Sequence, residues 1–221
     1  MQSYKAFFQN QGACGIFLIL FLIFSFSSVS AADDPIEVEY SFDHPYTETI
    51  FIGGSSYDRI TMPKLSNGGN PGEPSLPAMG ANILLPYSTE VDRIEVIPGG
   101  RRGLGDGYMI EPVAPQVRLS ADPSEMKLPE PDQAIYSSDQ PFPGNAFEEI
   151  TTQSFRGYRI LTLKLQPVQY IPSSGELYYY RDLKIVVHTI NTGKEASTFR
   201  GLDEDEEAVL ERIDNPDQVW S

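Results

Sequence analysis

Cysteine is all but missing from this sequence: one, Cys14, occurs in 221 residues. A single thiol excludes a disulfide framework and any multi-cysteine zinc site. Two histidines leave little material for an imidazole metal cluster. Bases are scarce as well, 16 against 31 acids, for a formal net charge of −15. That deficit argues against nucleic acid or an anionic membrane surface as a partner, since both require a basic patch. Long amphipathic helices are lacking, which makes a parallel βαβ architecture a poor fit. What the chain does have is a hydrophobic share of 40%, enough for a packed core. It also has 18 prolines and 18 glycines, the punctuation of many turns.

The first 32 residues carry one charge, Lys5, placed before the apolar run Ile16–Phe24. That run is too short for the ~20 apolar residues that span a bilayer stably. Small residues follow, and Val29-Ser30-Ala31 fits the small-x-small rule of signal peptidase. Residues 1–31 therefore read as a signal peptide cut after Ala31, with Ala32 the alternative position. The competing reading is an uncleaved N-terminal anchor. Cys14 precedes the apolar run, where a lipobox would place it after. Without residues 1–31 the exported part has 190 residues, 15 bases, 31 acids and no cysteine. It contacts the membrane only during export, and it has no thiol nucleophile.

The exported part reads as short strands between turns. Ile36–Phe42 alternates apolar and polar residues, the period of a half-buried strand. Tyr57–Met62 is a second strand, ended by Pro63. Residues 82–85 and 91–97 flank Pro86–Glu90 as a hairpin. Between 98 and 145 only brief strands such as Tyr108–Ile110 are expected. The strongest pair comes late: Leu161, Leu163 and Leu165 share one face, and Leu183, Ile185 and Val187 share another around Pro172–Gly175. This predicts an antiparallel hairpin. The sum is an all-β, antiparallel β-sandwich over 32–200, jelly-roll-like, with a short acidic helix or linker over 201–221. Residues 200–221 hold eight acids and two bases. The acids crowd the first helical turns, where the helix dipole favours them. A solvated linker is the plainer reading of this segment and a docking surface the other.

Candidate chemistry is thin. His44, in Asp43-His44-Pro45, is more simply a turn histidine than a ligand or base, and His188 falls on a polar strand face. No Gly-x-Ser-x-Gly elbow, P-loop or EF-hand pattern occurs. Neither a cofactor nor a metal site is expected. Tyr178 and Tyr180 share one face and offer a stacking platform for sugar, though strand tyrosines are more often packing residues. Arg101 and Arg102 sit among five glycines between Gly99 and Gly107, which reads as an extensible loop. Paired arginines at its centre are either bait for a basic-specific protease pocket or a solvated turn. Lys127 occupies the proline-bounded stretch Pro123–Pro129.

Gly72-Glu73-Pro74-Ser75-Leu76-Pro77 resembles a segment of the propeptides of gingipain-family cysteine peptidases. So do Leu84-Leu85-Pro86, the strand Val91–Val96, Arg156-Gly157-Tyr158-Arg159, and Pro167–Pro172 followed by Gly175-Glu176-Leu177. The resemblance covers about residues 36–190. It implies a β-sandwich made ahead of a caspase-like catalytic domain, its cognate partner, which it helps to fold and keeps latent. The family's catalytic His and Cys belong to that other domain. The resemblance also implies that an Arg or Lys of the propeptide enters the protease's specificity pocket, with Arg101 and Arg102 first in line and Lys127 the alternative. The competing function is an extracellular β-sandwich module that binds carbohydrate or protein. Both readings require export. Secreted chain is expected to begin at Ala32 or Asp33 on N-terminal sequencing, and an exported product retaining Met1 would contradict the signal-peptide reading.

Overall fold

The computed structural model describes residues 34–116, 127–193 and 199–218. In chain order their strands are β1 (Ile36–Ser41), β2 (Tyr46–Ile52), β3 (Ser55–Thr61), β4 (Ser66–Gly68), β5 (Leu76–Leu84), β6 (Thr89–Gly105), β7 (Phe147–Phe155), β8 (Tyr158–Leu165), β9 (Val168–Ile171) and β10 (Glu176–Asn191). Two short helices, α1 (Gln133–Tyr136) and α2 (Asp203–Leu210), complete the set with a 3₁₀ turn at Pro216–Gln218. The strands form two antiparallel four-stranded sheets, one ordered β1-β10-β6 with β9 also on β10, the other β4-β5-β8-β7. A separate hairpin pairs β2 with β3. The expected antiparallel β-sandwich with a short C-terminal helix is what forms.

The alternation read from the sequence sets the faces. Leu161, Leu163 and Leu165 of β8 and Leu183, Ile185 and Val187 of β10 are all fully buried in one core cluster. Ile83, Ile60, Ile110 and Tyr170 join them. The partners, however, differ from the expected ones. β8 pairs with β5 and β7, while β10 pairs with β6, β1 and β9. The late hairpin is therefore β9–β10, and β8 faces it from the opposite sheet. Pro167, which has no N–H to give a ladder, breaks the run between β8 and β9. The chain turns the corner there, with Gln166 donating to the Ala146 carbonyl. Residues 82–85 and 91–97 are likewise not a hairpin. They belong to β5 and β6 in different sheets, joined by a turn at Pro86 in which Ser88 takes φ +58°.

The segment 99–105 is not a loop. β6 runs unbroken from Thr89 to Gly105 and pairs with β10 along its length, from Leu177↔Gly105 to Asn191↔Thr89. It is an edge strand, the position that tolerates Pro98 and the left-handed Gly100. Pairing with the well-formed β10 overrides the poor strand propensity of its glycines.

The acidic C-terminal segment packs on the outer face of the second sheet rather than standing off in solvent. Val209 and Ile213 are buried against Leu84, Tyr158 and Ile160. Asp205, whose side chain is 1% exposed, accepts hydrogen bonds from Arg156 Nη1 at 2.7 Å and from Arg200 Nη2 and Nε at 2.6 and 2.9 Å. Farther on, Asp214 donates its N–H to the Asn82 carbonyl and accepts the Asn82 N–H, both at 2.8 Å. Asn215 accepts from Leu84 N–H at 2.8 Å and donates to its carbonyl at 3.1 Å. Asp214, through its backbone N–H and its carboxylate, and Asn215, through its side-chain amide, satisfy the edge of β5 at 82–84, which no strand covers among the described residues, as buried backbone groups require.

The Arg200 and Arg156 guanidiniums hold the Asp205 carboxyl below the usual carboxylate range, against the opposing effect of burial. A depressed folded-state pKa adds stability above the unfolded value, and that stability disappears as pH falls through the folded value. Asp205→Asn is expected to lower Tm at neutral pH. The gap to wild type should close below about pH 4, where free carboxylates protonate. Thermal melts across that range check it, and a gap independent of pH would contradict it.

Candidate functional site

Asn70-Pro71-Gly72-Glu73 closes on itself. The Glu73 carboxylate accepts from Asn70 N–H at 2.8 Å and from Asn70 Nδ2 at 2.9 Å, and Glu73 N–H donates to the Asn70 carbonyl at 3.0 Å. Beside this turn runs an extended segment, 109–113, wedged between two neighbours. On one side Asp58 N–H donates to the Met109 carbonyl at 2.7 Å, and Glu111 N–H to the Asp58 carbonyl at 3.0 Å. On the other, Ser75 N–H donates to Glu111 at 2.9 Å and Val113 N–H to Glu73 at 2.8 Å.

Glu111 anchors the segment electrostatically. Its carboxylate is largely buried and takes two bonds from Arg59, Nε at 2.6 Å and Nη2 at 2.8 Å. This two-pronged geometry gives charge-assisted bonds a fixed direction. The Glu111 bond raises the Arg59 pKa, keeping the guanidinium charged. Tyr136, in α1, donates its hydroxyl to the Ile110 carbonyl at 2.8 Å, and burial pushes its pKa upward. Asp132 caps α1 by accepting Ala134 N–H at 2.8 Å.

Lys127 lies just ahead of Asp132 in the chain. It is exposed and forms an ion pair with no carboxylate among the described residues. With Pro71, Gly72, Pro115, Leu128 and Glu130 it lines an open groove. Leu128 is 60% exposed, an unusual setting for a leucine.

The other sequence candidates fall elsewhere. Arg101 and Arg102 lie on β6 opposite Tyr180 and Tyr179. The Arg101 guanidinium sits 3.9 Å above the Tyr178 ring and bonds Glu176 at 2.9 Å. Both arginines are exposed strand residues, and Arg101 is the one tied to a ring and a carboxylate. Tyr178 is only 6% exposed beneath that arginine, and Tyr180 meets it edge-on at 5.9 Å. The sugar platform thus has no open face at Tyr178. His44 packs edge-on to Tyr179, its Nδ1 3.4 Å from the hydroxyl, and His188 lies 3.1 Å from Arg93. Ala31 and Ala32 lie outside the described residues. The sequence reading missed the Arg59–Glu111 pair, whose members lie 52 residues apart and meet only in the fold.

Residues 27–205 match the family Propeptide_C25. No curated protein matches the chain. Among solved structures, a complex of Porphyromonas gingivalis RgpB pro- and mature domains aligns with TM-score 0.59 at 18% identity, covering 86% of this chain and 95% of that one. A structure described as giving insight into the zymogenic latency of gingipain K, also from Porphyromonas gingivalis, aligns with TM-score 0.61 at 19% identity, covering 73% and 90%. At these identities the structural likeness concerns the fold.

The contrast between the two β6 arginines is measurable. Arg101→Ala is expected to lower unfolding free energy by about 0.5–2 kcal/mol through its lost ring and Glu176 contacts. Arg102→Ala should stay within about 0.5 kcal/mol. Urea denaturation checks the order, and equal effects would contradict it.

Proposed function

Because the chain belongs to the Propeptide_C25 family, we propose that it is the propeptide of a secreted gingipain-like cysteine endopeptidase, assisting the folding of a caspase-like catalytic domain and holding it latent. The single observation that carries this reading is the family match, which spans every strand of the β-sandwich. The domain order proposed with it is a signal peptide over 1–31, the propeptide sandwich over 32–200 and an acidic helix and linker toward the catalytic domain over 201–221. The catalytic domain is supplied by the same chain or by a separate one. The chain contributes no nucleophile of the family's kind, since its one cysteine is Cys14.

Latency needs something to occupy the peptidase cleft, and a basic side chain suits a pocket that recognises Arg or Lys. Of the three candidates, Lys127 is the one best placed to do so. It is exposed, lies outside any strand, and has no carboxylate partner among the described residues. Arg101 would first have to leave Tyr178 and Glu176, and both arginines would have to leave the ladder with β10.

A base paired with a buried pocket carboxylate gains charge-assisted bonds worth about 1.5–3 kcal/mol. At ~1.4 kcal/mol per decade, losing them raises the inhibition constant by about one to two decades. Titration of the cognate peptidase is expected to show that weakening for Lys127→Ala, with Arg101→Ala/Arg102→Ala inhibiting like wild type. Equal inhibition by all three proteins would remove base insertion and leave steric coverage of the cleft as the cause of latency.

A further inference from the structure

We propose that Gly72, with Gly53 in support, is a positioning residue that holds the segment 127–132 against the sandwich, so that Lys127 is presented rigidly instead of trailing. The inference rests on the inhibitory reading of Lys127 given above. Its ground is one residue bonded to two stretches of chain. Gly72 donates its N–H to the Val113 carbonyl at 2.9 Å and accepts the Asp132 N–H on its own carbonyl, also at 2.9 Å. A single residue thus bonds to chain that precedes Lys127 in the sequence and to chain that follows it.

Only glycine fits that place. Gly72 has φ +90°, and a Cβ there would stand 3.2 Å from the Glu130 carbonyl oxygen and 3.4 Å from Asp132 N. The nearer obstacle is backbone and tighter than ordinary contact, so the segment at Glu130 must give by a few tenths of an ångström, beside the Asp132–Gly72 bond. Gly53, at the tip of the β2–β3 hairpin with φ +58°, touches the same segment at Leu128, whose Cδ1 would lie 2.8 Å from a Cβ. That obstacle is the end of a flexible side chain, so Gly53 is the weaker hold. The two glycines come from distant parts of the sequence and meet 127–132 at Leu128 and at Glu130–Asp132.

A segment offered to a protease is inhibitor or substrate according to how firmly it is held. A fixed segment binds with less ordering cost and keeps its scissile bond out of the reactive geometry, whereas a slack one can be drawn in and cut. Loosening at Gly72 should therefore both weaken inhibition and expose the Lys127–Leu128 bond.

Gly54 supplies the matched control. It also has a left-handed φ, +88°, but open space around its Cβ position. Alanine there brings comparable backbone strain without touching the segment. The experiment uses the full exported chain with the cognate peptidase. It measures the inhibition constant, follows cleavage by mass spectrometry, and reads amide hydrogen exchange at Asp132. Gly72→Ala is expected to raise the inhibition constant about tenfold, to be cut progressively after Lys127, and to exchange faster at Asp132. Its β8 and β10 amides should stay as slow as in wild type. Gly54→Ala should match wild type in all three readouts.

The proposal is overturned if Gly72→Ala inhibits as tightly as wild type and stays uncut while Lys127→Ala is weakened, a result that leaves base insertion standing. It is also overturned if Gly54→Ala loses as much inhibition as Gly72→Ala, since the effect is then general backbone strain. Undiminished inhibition by Lys127→Ala is the separate failure of the inhibitory reading itself.

Discussion

Everything in this fold depends on the packing of the inner face of β10 against β8. With no cysteine beyond position 14, no disulfide within residues 32–221 limits their unfolded ensemble. Burial must supply the stability instead. Leu161, Leu163 and Leu165 meet Leu177, Leu183, Ile185 and Val187 across the sandwich, all without exposed surface. Truncating one such leucine typically costs about 2–5 kcal/mol, against a total stability of about 5–15 kcal/mol for a domain. One position in this face can therefore decide whether the domain is folded. β10 is suited to the role because it is long and paired on both edges, with β6 along one and β1 and β9 along the other.

The remaining features extend that core outward. β5 carries its inner residues into the core and its outer residue Leu84 into the second cluster under α2. The Asp205–Arg156–Arg200 group and the Asp214–Asn215 cap then fix the C-terminal segment to the outer face. At another place the Arg59–Glu111 pair holds 109–113 in register between β3 and the Asn70–Ser75 segment. The groove with Lys127 is thus attached to the core through backbone bonds and one directional ion pair.

Much of this was legible in the sequence, and the rest was hidden for identifiable reasons. Period-2 alternation assigned the faces of β1, β8 and β10 correctly, because burial on one side of a strand leaves that pattern directly. It could not name partners. An alternating pair around a turn looks the same whether the chain folds back in one sheet or turns a corner into another, as at Pro86 and Pro167. β7, an edge strand exposed at most positions, leaves no alternation to find. Residues 99–105 lack local strand propensity and owe their conformation to β10. Burial of Asp205 ran against its charge, and the two arginines that permit it lie 5 and 49 residues away. Lys127 was visible as a base between prolines. The reason Gly72 must be glycine was not, since it lies in a contact with residues 130–132.

The central claim is that the surface around Lys127 faces the cleft of a gingipain-like peptidase. A photoreactive residue at Leu128, one position from that lysine and 60% exposed, tests it most directly. Cross-linked peptides from the complex are identified by mass spectrometry, with the same probe at exposed Ile150 of β7 for comparison. Adducts from position 128 are expected on peptides bordering the peptidase's substrate cleft, and none there from position 150. A complex of undiminished affinity whose position-128 adducts lie away from the cleft would contradict it.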